Sequence, residues 1–145
     1  MADDLFRIAS DDRQLHTDLA AADLPVSDLG KAEQIVWRLG PAGEARGYVA
    51  IETHGRYALL RSLLVMPRQR GRGRARTLVA VATEHARAMD IDELWLLTNT
   101  AAGLFERLGW TRRDRSAAPD VIAASGEFSN LCPSSAVCFS RRIKS

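Results

Sequence analysis

The spacing of apolar residues changes along this chain, and each change marks an element. Residues 57–65, Tyr-Ala-Leu-Leu-Arg-Ser-Leu-Leu-Val, form a nearly unbroken apolar run interrupted by Arg61 and Ser62. Their Leu, Tyr and Val content suits a strand buried in the middle of a sheet. Two more strand patterns precede it, at 33–39 and 46–53. The turn Gly40-Pro41-Ala42-Gly43 separates these two, and His54-Gly55-Arg56 leads into 57–65, so three antiparallel strands in a meander are expected. Beyond residue 76 the period becomes helical, with Leu78, Val79, Val81, Ala82, His85, Ala86 and Met89 on one face.

The flanks complete the outline. A short strand is expected at 5–9, followed by Ser10 as N-cap with Asp11 and Asp12 in the first turn of a helix to about residue 22. Leu24-Pro25 ends it, because a residue before proline disfavours the α region. A short buried strand at 93–97 precedes a short helix at 101–108, which Gly109 stops. Trp110 begins another extended stretch, Pro119 opens a short helix through residue 124, and 135–143 supplies the last strand. The order β-α-β-β-β-α-β-α-β describes an α+β fold with a mixed, mostly antiparallel sheet flanked by helices. A length of 145 residues suits one domain, 1–145.

Charge narrows the partners. The net charge is +2, but without Arg68, Arg70, Arg72, Arg74 and Arg76 the balance becomes 15 basic against 18 acidic residues, or −3. Positive charge is therefore local to one turn. A protein that grips a long polyanion spreads its basic residues more widely, so a small anion fits better than nucleic acid. No apolar run approaches the ~18 residues of a membrane span, and the amino-terminal residues carry no apolar leader core. A reducing cytoplasm is the expected setting, with Cys132 and Cys138 as free thiols.

The arginine-bearing turn lies between a strand and a helix, as Arg70-Gly71-Arg72-Gly73-Arg74-Ala75. Small residues there let the backbone approach a ligand, and successive N–H groups at a helix start suit a pyrophosphate. No Gly-Lys-Ser/Thr follows, so this is not a Walker loop, and the spacing is not that of a dinucleotide fingerprint.

Arg70-x-x-Gly73-x-Ala75 resembles the Arg/Gln-x-x-Gly-x-Gly/Ala signature of the GNAT superfamily of N-acetyltransferases, and Leu63-Leu64-Val65-Met66-Pro67 is similar to the strand that enters it. About 35 residues further on, Leu104-Phe105-Glu106-Arg107-Leu108-Gly109-Trp110 resembles the superfamily's second hallmark. Segments 59–63, 96–100 and 127–133 (Glu-Phe-Ser-Asn-Leu-Cys-Pro) resemble the arsenic-resistance N-acetyltransferases. More distantly, the chain is similar to the acetyltransferase domain of N-acetylglutamate synthases.

The resemblance implies the GNAT fold, acetyl-CoA as co-substrate without a metal, and direct attack by a primary amine of a small, amino-acid-like acceptor. Arsenic-containing or phosphinate analogues are the narrower form of that expectation. It places the pyrophosphate on the amides of Arg70, Gly71, Arg72, Gly73, Arg74 and Ala75. Main-chain groups of Leu63, Leu64 and Val65, beside a β-bulge, would hold pantetheine, with Val65 polarising the thioester carbonyl. Thr98 occupies the place of a CoA-contacting Asn. Relatives are often homodimers. Phe105 stands where many relatives have a tyrosine general acid; it has no proton to give, so water or another group must protonate the leaving thiolate, and with a pKa of about 8.5 water can suffice. The competing reading is a catalytically silent acyl-CoA-binding module of the same fold.

Other polar residues keep two readings each. Glu52, among apolar neighbours, is a general base for the amine or an ion-pair partner of Arg61. Arg61, inside the apolar run, needs a partner: a protein acid or a substrate carboxylate. His54 reads as a turn residue and His85 as a packed helix residue, with a base role as the alternative for each. Cys132 and Cys138 lack the neighbours of a zinc site, although a thiol pair for arsenite is conceivable. Trp37, Trp95 and Trp110 are core candidates that could also line the acceptor cleft.

Overall fold

The computed structural model of the chain describes residues 4–144; the first three residues of the amino-terminal segment read above lie outside them. Seven strands form one sheet in the order β1-β2-β3-β4-β5-β7-β6. The strands are β1 (Leu5–Ile8), β2 (Gln34–Leu39), β3 (Gly47–His54), β4 (Tyr57–Val65), β5 (Glu93–Thr98), β6 (Thr111–Arg113) and β7 (Val137–Arg142). Neighbours are antiparallel except β4 and β5, so the α+β expectation and the meander of β2, β3 and β4 are met. The extended stretch after Trp110 is β6, an edge strand on β7.

Alternation along the strands divides the core between two faces. Ile35, Trp37, Leu39, Val49 and Ile51 point to the face covered by α2 (Arg74–Ala88), meeting its Leu78, Val79, Ala82 and Ala86. Val36, Tyr48, Ala50 and Leu64 point the other way, against Leu15 and Leu19 of α1 (Arg13–Ala21). Further along that second face, Leu59, Trp95 and Cys138 pack on Phe128 and on Ile122 of α4 (Asp120–Ala123). All three tryptophans are buried, and Trp37 meets His85 edge to face at 5.0 Å, which accounts for both as packing residues.

One expectation is corrected at the start of α1. The N-cap is Asp12, whose carboxylate accepts from the Leu15 N–H at 2.9 Å, rather than Ser10. Ser10 is held by its carbonyl instead, at 2.8 Å from His16 Nε2. Aspartate caps as well as serine does, so three consecutive capping residues left the start of the helix open in sequence.

Two irregularities of β4 shape the site. Tyr48 pairs with Leu64 and Ala50 with Arg61, so Ser62 and Leu63 stand opposite Val49 alone, a β-bulge with Ser62 at φ 58°. On the other side, β4 pairs with β5 only over Tyr57–Glu93, Ala58–Leu94 and Leu59–Trp95. Beyond Leu59 the two strands part, and the backbone of β4 faces an open cleft.

Candidate active site

Two adjoining cavities fill this cleft. The larger, about 780 Å³, is lined by Leu63 and Val65, by Arg70, Gly71 and Gly73 of the arginine turn, and by Gly103 of α3 (Ala102–Arg107). The smaller, about 350 Å³, continues between β4 and β5 and reaches Thr98, Phe105, Glu127 and Cys132. Leu63 and Ala101 line both, so the cavities meet beside the bulge.

The arginine turn is built to present backbone. Gly71 and Gly73 have φ 81° and 73°, the left-handed region where glycine costs least. Gly73 is the N-cap of α2 and supplies no side-chain hydrogen bond, so the start of a 15-residue helix faces the larger cavity without a side-chain cap. Arg70 donates to the Val65 carbonyl at 3.2 Å, and Arg74 to that of Gln69 at 3.3 Å, which fixes the loop on the end of β4. Arg70, Arg74, Ala75 and Arg76 line the cavity; Arg72, expected with them, is exposed and does not, so its side chain points elsewhere.

Along β4 the open backbone groups follow from one hydrogen bond. The Met66 N–H donates to Arg46 O at 2.9 Å, on the β3 side. Strand alternation then turns Leu64 toward β3, and Leu63 and Val65 toward the cleft. Leu64 also lines the larger cavity, while its side chain belongs to the core under α1. Thr98 faces the smaller cavity rather than the larger. Its Oγ1 accepts from the Ala101 N–H at 2.9 Å, fixing the turn into α3. Phe105 is buried, edge to face with Trp110 at 5.2 Å, and reaches the smaller cavity as an apolar wall.

The main correction concerns Arg61 and Glu52. The Arg61 side chain has 0% exposure, and each of its N–H groups has a partner within the protein. Nη1 donates to Asp28 at 2.5 Å and Glu52 at 3.0 Å, Nη2 to Asp28 at 2.8 Å and the Pro25 carbonyl at 3.3 Å, and Nε to Ser62 Oγ at 3.3 Å. No donor is left for a substrate carboxylate, so the ion-pair reading of Arg61 holds. Glu52 lines neither cavity. Its Oε1 accepts from Gln34 at 2.8 Å and from Arg61, and its Oε2 lies 2.6 Å from His54 Nε2. Enclosed in this way, it has the surroundings of an ion-pair partner of Arg61, the second of its two expected roles.

Two acids line the smaller cavity, the exposed Asp23 and the buried Glu127. Glu127 belongs to a π-helical turn, Glu127–Leu131, absent from the sequence-based outline. Arg115 secures this turn by donating to the carbonyls of Phe128 (2.7 Å), Pro133 (2.9 Å), Glu127 and Cys132 (both 3.3 Å). Gly126 is required beside it, because a Cβ there would lie 2.7 Å from Asp28 Oδ2. Glu127 Oε2 is 3.5 Å from Arg61 Nε. Burial pushes the Glu127 carboxyl up to about 7; Arg61 opposes this, while Asp28 and Glu52 add to it. Burial and the Glu127 charge push the Cys132 thiol up to about 12. The sequence offered one signal, the resemblance carried by segment 127–133, but nothing local connects residue 127 to 61.

Cys132 and Cys138 are both free and occupy different surroundings, the cavity wall and the core beside Trp95. Among the described residues, no group of three or more His, Cys, Asp or Glu side chains has the arrangement of a metal site. No helix among them is long and apolar enough to cross a membrane.

The sequence matches the model of the acetyltransferase (GNAT) family over residues 3–110. No curated protein matches it significantly. Solved structures share the fold. A Klebsiella pneumoniae protein described as an acyl-CoA N-acyltransferase superposes with TM-score 0.75 at 23% identity, over 97% of each chain. Rv2747 of Mycobacterium tuberculosis, in complex with CoA and NLQ, gives 0.75 at 17% identity, over 96% of this chain and 98% of its own. N-acetylglutamate synthase of Neisseria gonorrhoeae, complexed with coenzyme A and L-arginine, gives 0.71 at 16% identity. The match covers 99% of this chain and 34% of the synthase.

Proposed function

The chain belongs to the acetyltransferase (GNAT) family, and from that premise we propose that it transfers an acetyl group from acetyl-CoA to the primary amine of a small molecule. One observation carries this reading: the parting of β4 and β5 joins a cavity floored by an uncapped helix start to one that holds a buried acid. In this reading the amides of residues 70–75 hold the pyrophosphate, with Arg70, Arg74 and Arg76 nearby. The open main chain of Leu63 and Val65 holds pantetheine. A Val65 N–H aimed at the thioester oxygen would stabilise the charge that develops there, a role in which one donor contributes about 3 kcal/mol. The amine enters through the smaller cavity and attacks directly.

An amino-acid-like acceptor, and with it the arsenic or phosphinate analogues, was expected on the strength of resemblance and of Arg61. With the Arg61 donors all engaged, that expectation loses its carboxylate partner, and the acceptor class we retain is a small primary amine. The two free thiols suit the cytoplasm as its setting. Thiol release from acetyl-CoA across an amine panel tests the reading: release dependent on an amine supports it. Tight acetyl-CoA binding with no release from any amine would instead favour the silent acyl-CoA-binding module.

A further inference from the structure

We propose that Glu127 receives the acceptor in this enzyme, pairing with its ammonium group and then taking the proton that must leave before the nitrogen can attack. The inference rests on the acetyl-transfer reading above and assigns the acceptor end of that site.

The geometry singles out Glu127 among the buried acids; Asp23 also lines the smaller cavity, but it is exposed to water. Asp28 takes the two shortest contacts of Arg61, at 2.5 and 2.8 Å, and Glu52 takes a third at 3.0 Å. Glu127 is left with the longest, at 3.5 Å from Nε, which itself donates to Ser62. Three carboxylates thus share one guanidinium, and Glu127 is the member of that set on the cavity wall. The groups facing it are Asp28 before β2, Glu52 on β3, Arg61 on β4 and Cys132 on its own turn, while Arg115 holds its carbonyl. The His54 ring contacts Glu52 at 2.6 Å and lines neither cavity. With three carboxyl groups on one guanidinium, the cluster is short of positive charge. A buried anion in that position favours a cation at hydrogen-bonding distance.

A protonated primary amine meets this need, since it is compact and carries three donors. Among the described residues lining the smaller cavity, Arg61 is the one cationic side chain, and its donors are engaged. A carboxylate on the acceptor would therefore meet Glu127 as a like charge. The class that fits is a short primary amine without a carboxylate, in a space of about 350 Å³.

The proton count closes. R–NH3+ gives one proton to the Glu127 carboxylate, leaving a free amine and a neutral carboxylic acid. The nitrogen lone pair attacks the thioester carbonyl carbon, the C–N bond forms, the C–S bond breaks and its electron pair leaves on sulfur. The second nitrogen-bound proton neutralises the thiolate through water, and the Glu127 carboxyl returns its proton to solvent. A carboxyl pushed up to about 7 is suited to both halves of this task, because near neutral pH it exists in both forms and holds a proton far better than an ordinary one.

The test is Glu127→Gln, assayed with propylamine, ethanolamine and 1,4-diaminobutane against alanine and glutamate. We expect kcat/KM for the best amine to fall about 100-fold while the Kd for acetyl-CoA stays within about twofold. The wild-type rise of kcat/KM through pH 7 should flatten. The carboxylate-free amines should be better wild-type substrates than the amino acids. An E127Q enzyme with wild-type kcat/KM and an unchanged pH profile overturns the role of Glu127 while the acetyl-transfer reading stands. Preference for alanine or glutamate overturns the acceptor class. A wild-type protein that binds acetyl-CoA but acetylates none of the five overturns both the reading and this inference. If E127Q does not fold, Glu127→Asp decides: the pH limb should persist with a lower kcat/KM, and its disappearance overturns the assignment.

Discussion

The two ends of the cleft use arginine in opposite ways. At the larger cavity, arginines crowd an exposed turn. Among the described residues, no carboxylate pairs with Arg68, Arg70, Arg72 or Arg76 there. At the smaller cavity a single arginine with 0% side-chain exposure is shared by Asp28, Glu52 and Glu127. Exposed arginines around an open helix start are suited to an incoming anion, and they lose little when the site is empty because water solvates them. A buried guanidinium cannot wait for a ligand in this way. Its desolvation must be offset within the fold, so it serves as the counter-ion of a structural cluster. The same residue type therefore marks a binding surface in one place and a keystone in the other.

Mutations at the two ends should separate these roles. The largest effect is expected from Arg61→Ala, which leaves three buried carboxylates facing each other. Loss of about 3–5 kcal/mol of stability should appear as a much lower denaturant midpoint. An R61A protein of wild-type stability that had lost amine turnover would show Arg61 to be a ligand group after all. Gly73→Val should do the reverse. The added Cβ meets nothing within 4 Å, but φ 73° is strained for valine by about 1–3 kcal/mol, and relief of that strain moves the amides. We expect the Kd for acetyl-CoA, measured by calorimetry, to rise at least about tenfold with the fold intact; wild-type affinity would refute the loop assignment.

Smaller effects refine each end. The carboxyl of Glu127 has a folded pKa of about 7, above its unfolded value of about 4.3. Protonation therefore favours the folded state, and stability present at low pH is lost as pH rises through 7. Glu127→Gln should accordingly raise Tm by about 3 °C at pH 8 and by less at pH 6. A fall in Tm at pH 8 would mean that its pairing with Arg61 outweighs its burial. The least effect is expected within the arginine turn. Arg70→Ala removes the clasp on Val65 and a cavity-lining charge and should raise the Kd for acetyl-CoA about fivefold, near 1 kcal/mol. Arg72→Ala, outside the cavity, should change it less than about twofold. Equal losses from both would mean that the turn acts as a diffuse positive patch.

What was legible in the sequence was local. The bounds of β4 at 57–65, the meander before it, the helical face of α2 and the positive-φ glycines all follow from periodicity and turn chemistry within a few residues. So does the turn to which we assign the donor, because a strand, a glycine turn and a helix start are consecutive in the chain and need no distant partner to form. The N-cap of α1 was misplaced by two residues because neighbouring capping residues compete on nearly equal terms. The acceptor end depends on distance in sequence. Residues 28, 52, 61 and 127 come together only when the sheet order places β4 beside β5, the strands part beyond Leu59, and Arg115 gathers the carbonyls of a π-helical turn. Whether Arg61 is free or engaged, and which acid faces the cavity, are questions of three-dimensional charge balance. Periodicity carries no information on that balance, because its partners lie up to 66 residues from Arg61.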